Sequence, residues 1–387
     1  MAKHKESPDT IAIQAGRMSE EHFGAVNTPV YRASTILYPD LATLEAGKAP
    51  YTYGRLGTPT SRSLEKAITA LEGGASTTLC TSGVTAITAA IMAVCSAGDH
   101  LLVTDSCYGP TRTFCDKTLK RFGVETTYYD PLIGVGIEQH FRPHTKAVFC
   151  ESPGSLTFEV QDVPAIAAVA HAHGASVLLD NTWSTPLFFD AFAHGVDISI
   201  QAGTKYLGGH ADVMIGYVTT NEAHKARLSD LKFQIGLYAG GDDCFLALRG
   251  LRTMPIRLKR HQETALKLAR WLKARPEIAA VLHPGLEDDP GHAIWRRDFK
   301  GSSGLFGIVL KPVAQTALAA FMDNLEHFGL GYSWGGYESL IVPAHITRTV
   351  RPFAAEGPLL RIHAGLEDAD DLIADLTQGF DRMKAAL

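Results

Sequence analysis

The sequence predicts an α/β fold, with a mostly parallel central sheet followed by a smaller α+β unit. Three observations carry that expectation. Between residues 77 and 220, seven short apolar runs alternate with stretches of helical pattern, as in a sheet whose strands are joined by covering helices. Runs such as SVLLD are apolar almost throughout, as strands buried on both faces are. After about residue 250 a long helical stretch gives way to strands and helices in mixed succession, which suits an α+β domain.

Residues 1–60 are rich in turn formers, as in NTPVYRAST and KAPYTYGRLGTPT, and read as an extended arm. A helix is expected from Ser61, stopped by Gly73 and Gly74. The predicted strands are 77–81, 100–105, 124–130, 146–152, 176–180, 197–202 and 214–220, with helices at 84–97, 110–122 and 163–173. These make a large domain of residues 61–250. The remainder, 251–387, opens with a long helix carrying Pro255 near its start. It continues through IAAVLHP, SGLFGIVLK, a helix in TALAAFMDNLEHF, the run LLRIHAG and a closing helix from Asp368.

Composition narrows the function. The 387 residues are 45% hydrophobic and 20% charged, with a net charge of −5, so no basic field is offered to nucleic acid. No apolar run reaches the ~18 residues of a membrane span, and the polar start MAKHKESPDT is not expected to be a secretory signal. The six cysteines form no C-x-x-C pair and read as reduced thiols of a cytoplasmic protein, Cys107 of DSCYGP included, although a lone cysteine can be a nucleophile. GVGIEQ lacks the third glycine of a dinucleotide loop. His171 and His173 are two apart, which does not place them on one helix face, so no metal is expected.

What remains lies at strand ends. Asp180 closes SVLLD, and Lys205 follows the next apolar run among small residues that leave its amine uncrowded. In a parallel sheet both fall at the carboxyl edge, where open α/β sheets bind ligands. Taken alone, Asp180 is equally a cap for the following turn and Lys205 a solvated surface lysine. Together they suit pyridoxal phosphate, which needs a lysine for its aldehyde and an acid for its ring nitrogen. TSGVTAI, with Gly83 at a strand-to-helix turn, and the hydroxyl of Thr204 would supply anion donors.

SIQAGTKYLGGHADVMIG, DNTWSTP, ESPGSLT, YTYGRLGTPT, RGLRT, SGLFG, YSWGGYESL and LLRIHAGLED resemble the Cys/Met-metabolism family of pyridoxal phosphate enzymes, over essentially the whole chain. The resemblance implies a PLP-dependent transferase fold of type I (aspartate-aminotransferase-like) and a homotetramer. It implies that Lys205 binds the cofactor aldehyde, Asp180 pairs with its ring nitrogen and Tyr108 stacks on the ring. Gly83, Val84 and Thr204 would bind its phosphate, and Tyr53 and Arg55 would reach the phosphate of a neighbouring subunit. Arg361 would clamp the substrate carboxylate, with Tyr332, Ser333 and Trp334 beside it. The YSWGGYESL loop resembles that of members that eliminate at Cβ, which implies carbon–sulfur cleavage of cystathionine or related cysteine conjugates to a thiol, pyruvate and ammonia. A γ-type reaction, or a regulatory protein with incidental lyase activity, stays open. Leu56 and Thr113 depart from the β-lyase pattern at positions associated with the far end of the substrate, which implies broader selectivity.

Overall fold

The structure, a computed structural model, describes residues 6–387. Residues 1–5, which open the polar N-terminal stretch and the expected arm, lie outside the described residues. The central sheet holds β1 (Ser76–Cys80), β2 (His100–Thr104), β3 (Glu125–Tyr129), β4 (Thr145–Glu151), β5 (Ser176–Asp180), β6 (Ile198–Gln201) and β7 (Gly216–Thr220). Their spatial order is β1-β7-β6-β5-β4-β2-β3. Each falls on a run expected to be a strand. Five neighbour in parallel, while β7 runs against both β1 and β6.

The direction of β7 follows from what precedes it. Parallel neighbours need a crossover, usually a helix, to return to the same edge. Helix Val163–Ala172, between the parallel neighbours β4 and β5, is one, burying Val163, Ile166, Ala167 and Ala170. Residues 202–215, between β6 and β7, form turns without a helix, so the chain doubles back at the carboxyl edge. Lys205 sits in that doubling-back.

Two helices differ from expectation. The one expected over 110–122 is helical at Gly109–Thr113 and then widens into a π-type turn over Phe114–Leu119. The long helix is Gly241–Lys273, so Pro255 lies in its interior rather than near its start, and the boundary expected at residue 250 falls inside one continuous element. Asp242 and Asp243 in the first turn favour the earlier start. Pro255 removes one backbone donor, and nearby Arg257 donates through Nη2 to Gly250 O at 2.7 Å. The described part of the expected arm opens with a helix that touches the body: Ser7 caps Pro8–Gln14, Ala12 is buried, and Arg252 Nη1 donates to Ala12 O at 2.7 Å.

A second sheet holds β8 (Ile278–Leu282), β9 (Leu305–Leu310), β10 (Phe328–Gly329), β11 (Ser339–Pro343) and β12 (Leu359–His363), in the order β10-β11-β12-β9-β8. Helices Gln315–Met322 and Ala369–Ala385 share its core with the long helix, with Phe321 stacked on Phe380 at 4.6 Å. The connection from β11 to β12 reaches back to the first sheet. There the buried carboxylate of Asp105 accepts from the amides of Thr349 (3.0 Å), Val350 (2.9 Å) and Arg351 (3.1 Å) and from Arg112 Nη2 (2.6 Å). Arg348 meanwhile donates to Glu159 at 3.0 Å.

Burial alone would raise the Asp105 carboxyl; the three amides and Arg112 outweigh it and hold it below its ordinary value. Its stabilisation is therefore complete above the unfolded value of about 3.9 and is lost as pH falls through the lower folded value. Asp105→Ala is expected to cost about 3 kcal/mol, since it strands Arg112 and three amides, read as a lower urea midpoint with earlier proteolysis within 344–351.

Candidate active site

The carboxyl edge of the first sheet brings several side chains together. Asp180 ends β5 with its side chain buried. Thr182 donates to its Oδ1 through both backbone N–H (3.0 Å) and hydroxyl (2.5 Å), and the same hydroxyl accepts the Ala202 amide at 2.9 Å. Asp180 therefore does cap the turn that follows it, and that turn ties it to the segment carrying Lys205. Both bonds fall on Oδ1, which leaves Oδ2 uncommitted.

Lys205 is not uncrowded, as its small sequence neighbours suggest. Its Nζ donates to Ser333 Oγ at 2.7 Å and lies 5.2 Å from the centre of the Trp334 ring. Both partners come from the second sheet's side of the cleft, more than a hundred residues away in sequence. Burial, then the positive charge of Arg361, lower the amine to about 8, with Asp180 pulling the other way. Burial raises the Asp180 carboxyl against the bonds from Thr182.

Arg361, on β12, donates through Nη2 to Ser333 O at 2.9 Å, which leaves most of its fork free. Ser333 has φ +85°, a strained conformation for a residue with a side chain. Tyr108 follows β2, and burial, then Glu151 and Asp180, raise its phenol. A cavity of about 450 Å³ opens alongside, lined by Thr204, Asp212, Met214, Tyr332, Ser333 and Trp334 among others.

Gly83 and Val84 open helix Gly83–Val94. Ser82 takes the amides of Thr85 and Ala86, so those of Gly83 and Val84 have no partner within the helix. A Cβ on Gly83 would lie 2.6 Å from that of Ala202; only glycine lets this helix end press against the start of the Lys205 segment. Thr204 differs from expectation in one respect. Its hydroxyl donates to Ile215 O and accepts Ile215 N–H, both at 3.0 Å, so its hydrogen is already committed. Tyr53 and Arg55 are not brought to Lys205: Arg55 donates to Phe233 O at 3.3 Å and lies over the Tyr53 and Phe233 rings.

One group at this edge is not among the residues expected from the sequence. Glu151 ends β4 directly beside Asp180 and accepts the Tyr108 amide at 2.7 Å. Burial, then Asp180, push it well above the usual carboxylate range. The strand-end logic that picks out Asp180 applies equally to KAVFCES.

A lysine of lowered pKa, a buried acid and free helix-end amides form a donor set that fits pyridoxal phosphate. The model of the family described as Cys/Met metabolism PLP-dependent enzyme matches residues 9–381. The chain belongs to that family. Within the family it is 52% identical to a putative cystathionine β-lyase of Rhizobium johnstonii, over 96% of this chain and 95% of that one. It is 44% identical to the cystathionine β-lyase of Escherichia coli, over 97% and 98%. The crystal structure of a cystathionine γ-lyase from Lactobacillus plantarum complexed with L-serine superposes with a TM-score of 0.90 at 30% identity, covering 98% and 100%. The protein is thus a pyridoxal phosphate enzyme of fold type I. Among the described residues no helix is long and apolar enough to cross a membrane.

The charges around Lys205 make two opposite expectations. In cofactor-free protein, acylation of Lys205 followed by mass spectrometry against pH is expected to be half-maximal near pH 8. Asp180→Asn removes the charge that raises the amine, so the midpoint falls; Arg361→Gln removes one that lowers it, so the midpoint rises.

Proposed function

We propose that the enzyme catalyses α,β-elimination on cystathionine or related cysteine S-conjugates, releasing a thiol, pyruvate and ammonia. The observation that carries this reading is the contact of Lys205 Nζ with Ser333 within the YSWGGYESL loop. It puts the reacting amine against the segment whose sequence resembles that of the β-eliminating members. The identities of 44% and 52% to two proteins named as cystathionine β-lyases support it, whereas the γ-lyase likeness stands at 30%.

In this reading Lys205 holds the cofactor, Asp180 faces its ring nitrogen, Tyr108 lies on its ring, and Gly83 and Val84 turn free amides to its phosphate. Thr204 joins them only if its hydroxyl turns away from Ile215. When bound, pyridoxal phosphate supplies an aldehyde that captures the substrate amine and a conjugated ring that draws electrons from Cα. Lys205, lowered to about 8, is suited to take the Cα proton near neutral pH and to return one to the departing sulfur. A charged Asp180 favours a proton on the ring nitrogen. Arg361 presents a planar fork to the substrate carboxylate, with Ser333 bonded to it and Tyr332 and Trp334 on either side of Ser333 in the same loop.

The finer points of assembly belong to the same proposal. Phe23, Val26, Leu37, Leu41 and Leu44 are exposed along the arm. A homotetramer would cover them and carry Tyr53 and Arg55 to a neighbour's phosphate. Six buried, unpaired cysteines suit a cytoplasmic setting.

Cystathionine, cystine and methionine offered in parallel decide the reaction. Pyruvate from the first two is expected; 2-oxobutyrate as the main product would establish γ-chemistry, and no keto acid from any would favour a regulatory role. Lys205→Ala is expected to lose at least about a thousandfold in kcat, while Asp180→Ala still binds cofactor but turns over poorly.

A further inference from the structure

The geometry points to His363 as a positioning residue: through the backbone of Gly335 and Gly336 it sets the height of the 332–336 loop over Lys205. It stands two residues after Arg361 on β12, so the two side chains leave the strand on the same face. Each takes hold of the loop at a different point. Arg361 donates to Ser333 O at 2.9 Å. His363 Nε2 lies 3.1 Å from Gly335 N, from which it accepts, and 3.2 Å from Gly336 O, to which its other tautomer donates.

The point of attachment is where the loop meets the lysine. Gly335 has φ +86°, and a Cβ there would lie 2.9 Å from Lys205 C and Tyr206 N. The loop thus rests directly on the backbone of the lysine whose amine its Ser333 binds. With Ser333 itself at φ +85°, the conformation needs outside restraint, and strained backbone persists only where the surroundings over-determine it.

The setting keeps His363 available for this task. It is almost wholly buried, faced by His261 of the long helix at 5.1 Å between ring centres and by Tyr206 at 6.0 Å. Burial, then the neighbouring His261 and the cations Arg361 and Lys205, hold its pKa well below the ordinary value, against the carbonyl of Gly336. Burial likewise lowers His261 to about 4. A neutral ring offers Nε2 as acceptor to the Gly335 amide in one tautomer and as donor to Gly336 O in the other, while Nδ1 is buried without a partner in both, so the hold on the loop is made through Nε2 alone.

The inference rests on Lys205 as the reacting amine, and its test reads the lysine apart from turnover. His363→Leu removes both ring nitrogens. The loosened loop would admit water to Lys205, and the amine would return toward its ordinary value. The acylation midpoint of Lys205 in the cofactor-free full chain is expected to rise by about one unit, a tenfold change in the charged-to-neutral ratio. In the cofactor-loaded enzyme kcat is expected to fall about tenfold. His363→Gln, which restores an acceptor and a donor at that reach, is expected to return the midpoint most of the way. An unchanged midpoint in the leucine variant overturns the proposal, as does a shift that glutamine does not reverse. Should the leucine variant not fold, amide exchange in the unaltered protein decides: Gly335 is expected to exchange far more slowly than the exposed Tyr332 and Ser333, and exchange as fast as theirs overturns it. A failed pyruvate assay with the midpoints as expected would refute the β-elimination while leaving the role of His363 standing.

Discussion

The amine of Lys205 is half-buried within the influence of a carboxylate and a guanidinium, and the elements around it serve to keep it there. An ammonium group taken out of water is costly unless compensated. Here the compensation is partial by construction: Asp180 favours the charge, Arg361 opposes it, and burial opposes it more. The balance leaves an amine that gives and takes a proton near neutral pH, which a solvated lysine does not do.

That balance requires both sheets. β5 and the turn after β6 bring Asp180 and Lys205 side by side through Thr182. β12 brings Arg361, and the loop before β11 brings Ser333 and Trp334. The faces are held in register by contacts that do not involve the amine itself. Asp105 gathers three amides of the β11–β12 connection, while Tyr206, adjacent to the lysine, accepts the Gly304 amide at 2.9 Å. A small movement between the sheets would change the solvation of Lys205 before it broke any covalent or secondary structure.

A second feature follows from the strand ends. Glu151 and Asp180 are neighbours across β4 and β5, and two carboxyls this close do not readily ionise together. Each is raised by burial, but Asp180 is relieved by two bonds from Thr182, whereas Glu151 is pushed further by Asp180 itself. Glu151 has its own relief, from the Tyr108 amide it accepts and from the positive charge of Arg348, so the acid proposed to face the cofactor ring has a second, hydrogen-bonded carboxyl as its neighbour.

The strands of the first sheet, their mostly parallel character and the placing of Asp180 and Lys205 at its carboxyl edge were legible in the sequence, because continuous apolar runs and strand-end polar residues are local signals. The cofactor and family were legible from motifs spread along the whole chain. Other features were decided only by the tertiary structure. Pro255 came to lie inside a helix because packing of Gly241–Lys273 on two cores outweighs one lost hydrogen bond. Glu151 and His363 carry no local mark: one matters through a neighbour on the next strand, the other through a loop it reaches from β12. The lowered pKa of Lys205 likewise depends on how much water the folded chain excludes and which charges it brings near, and neither is a property of the residues adjacent in sequence.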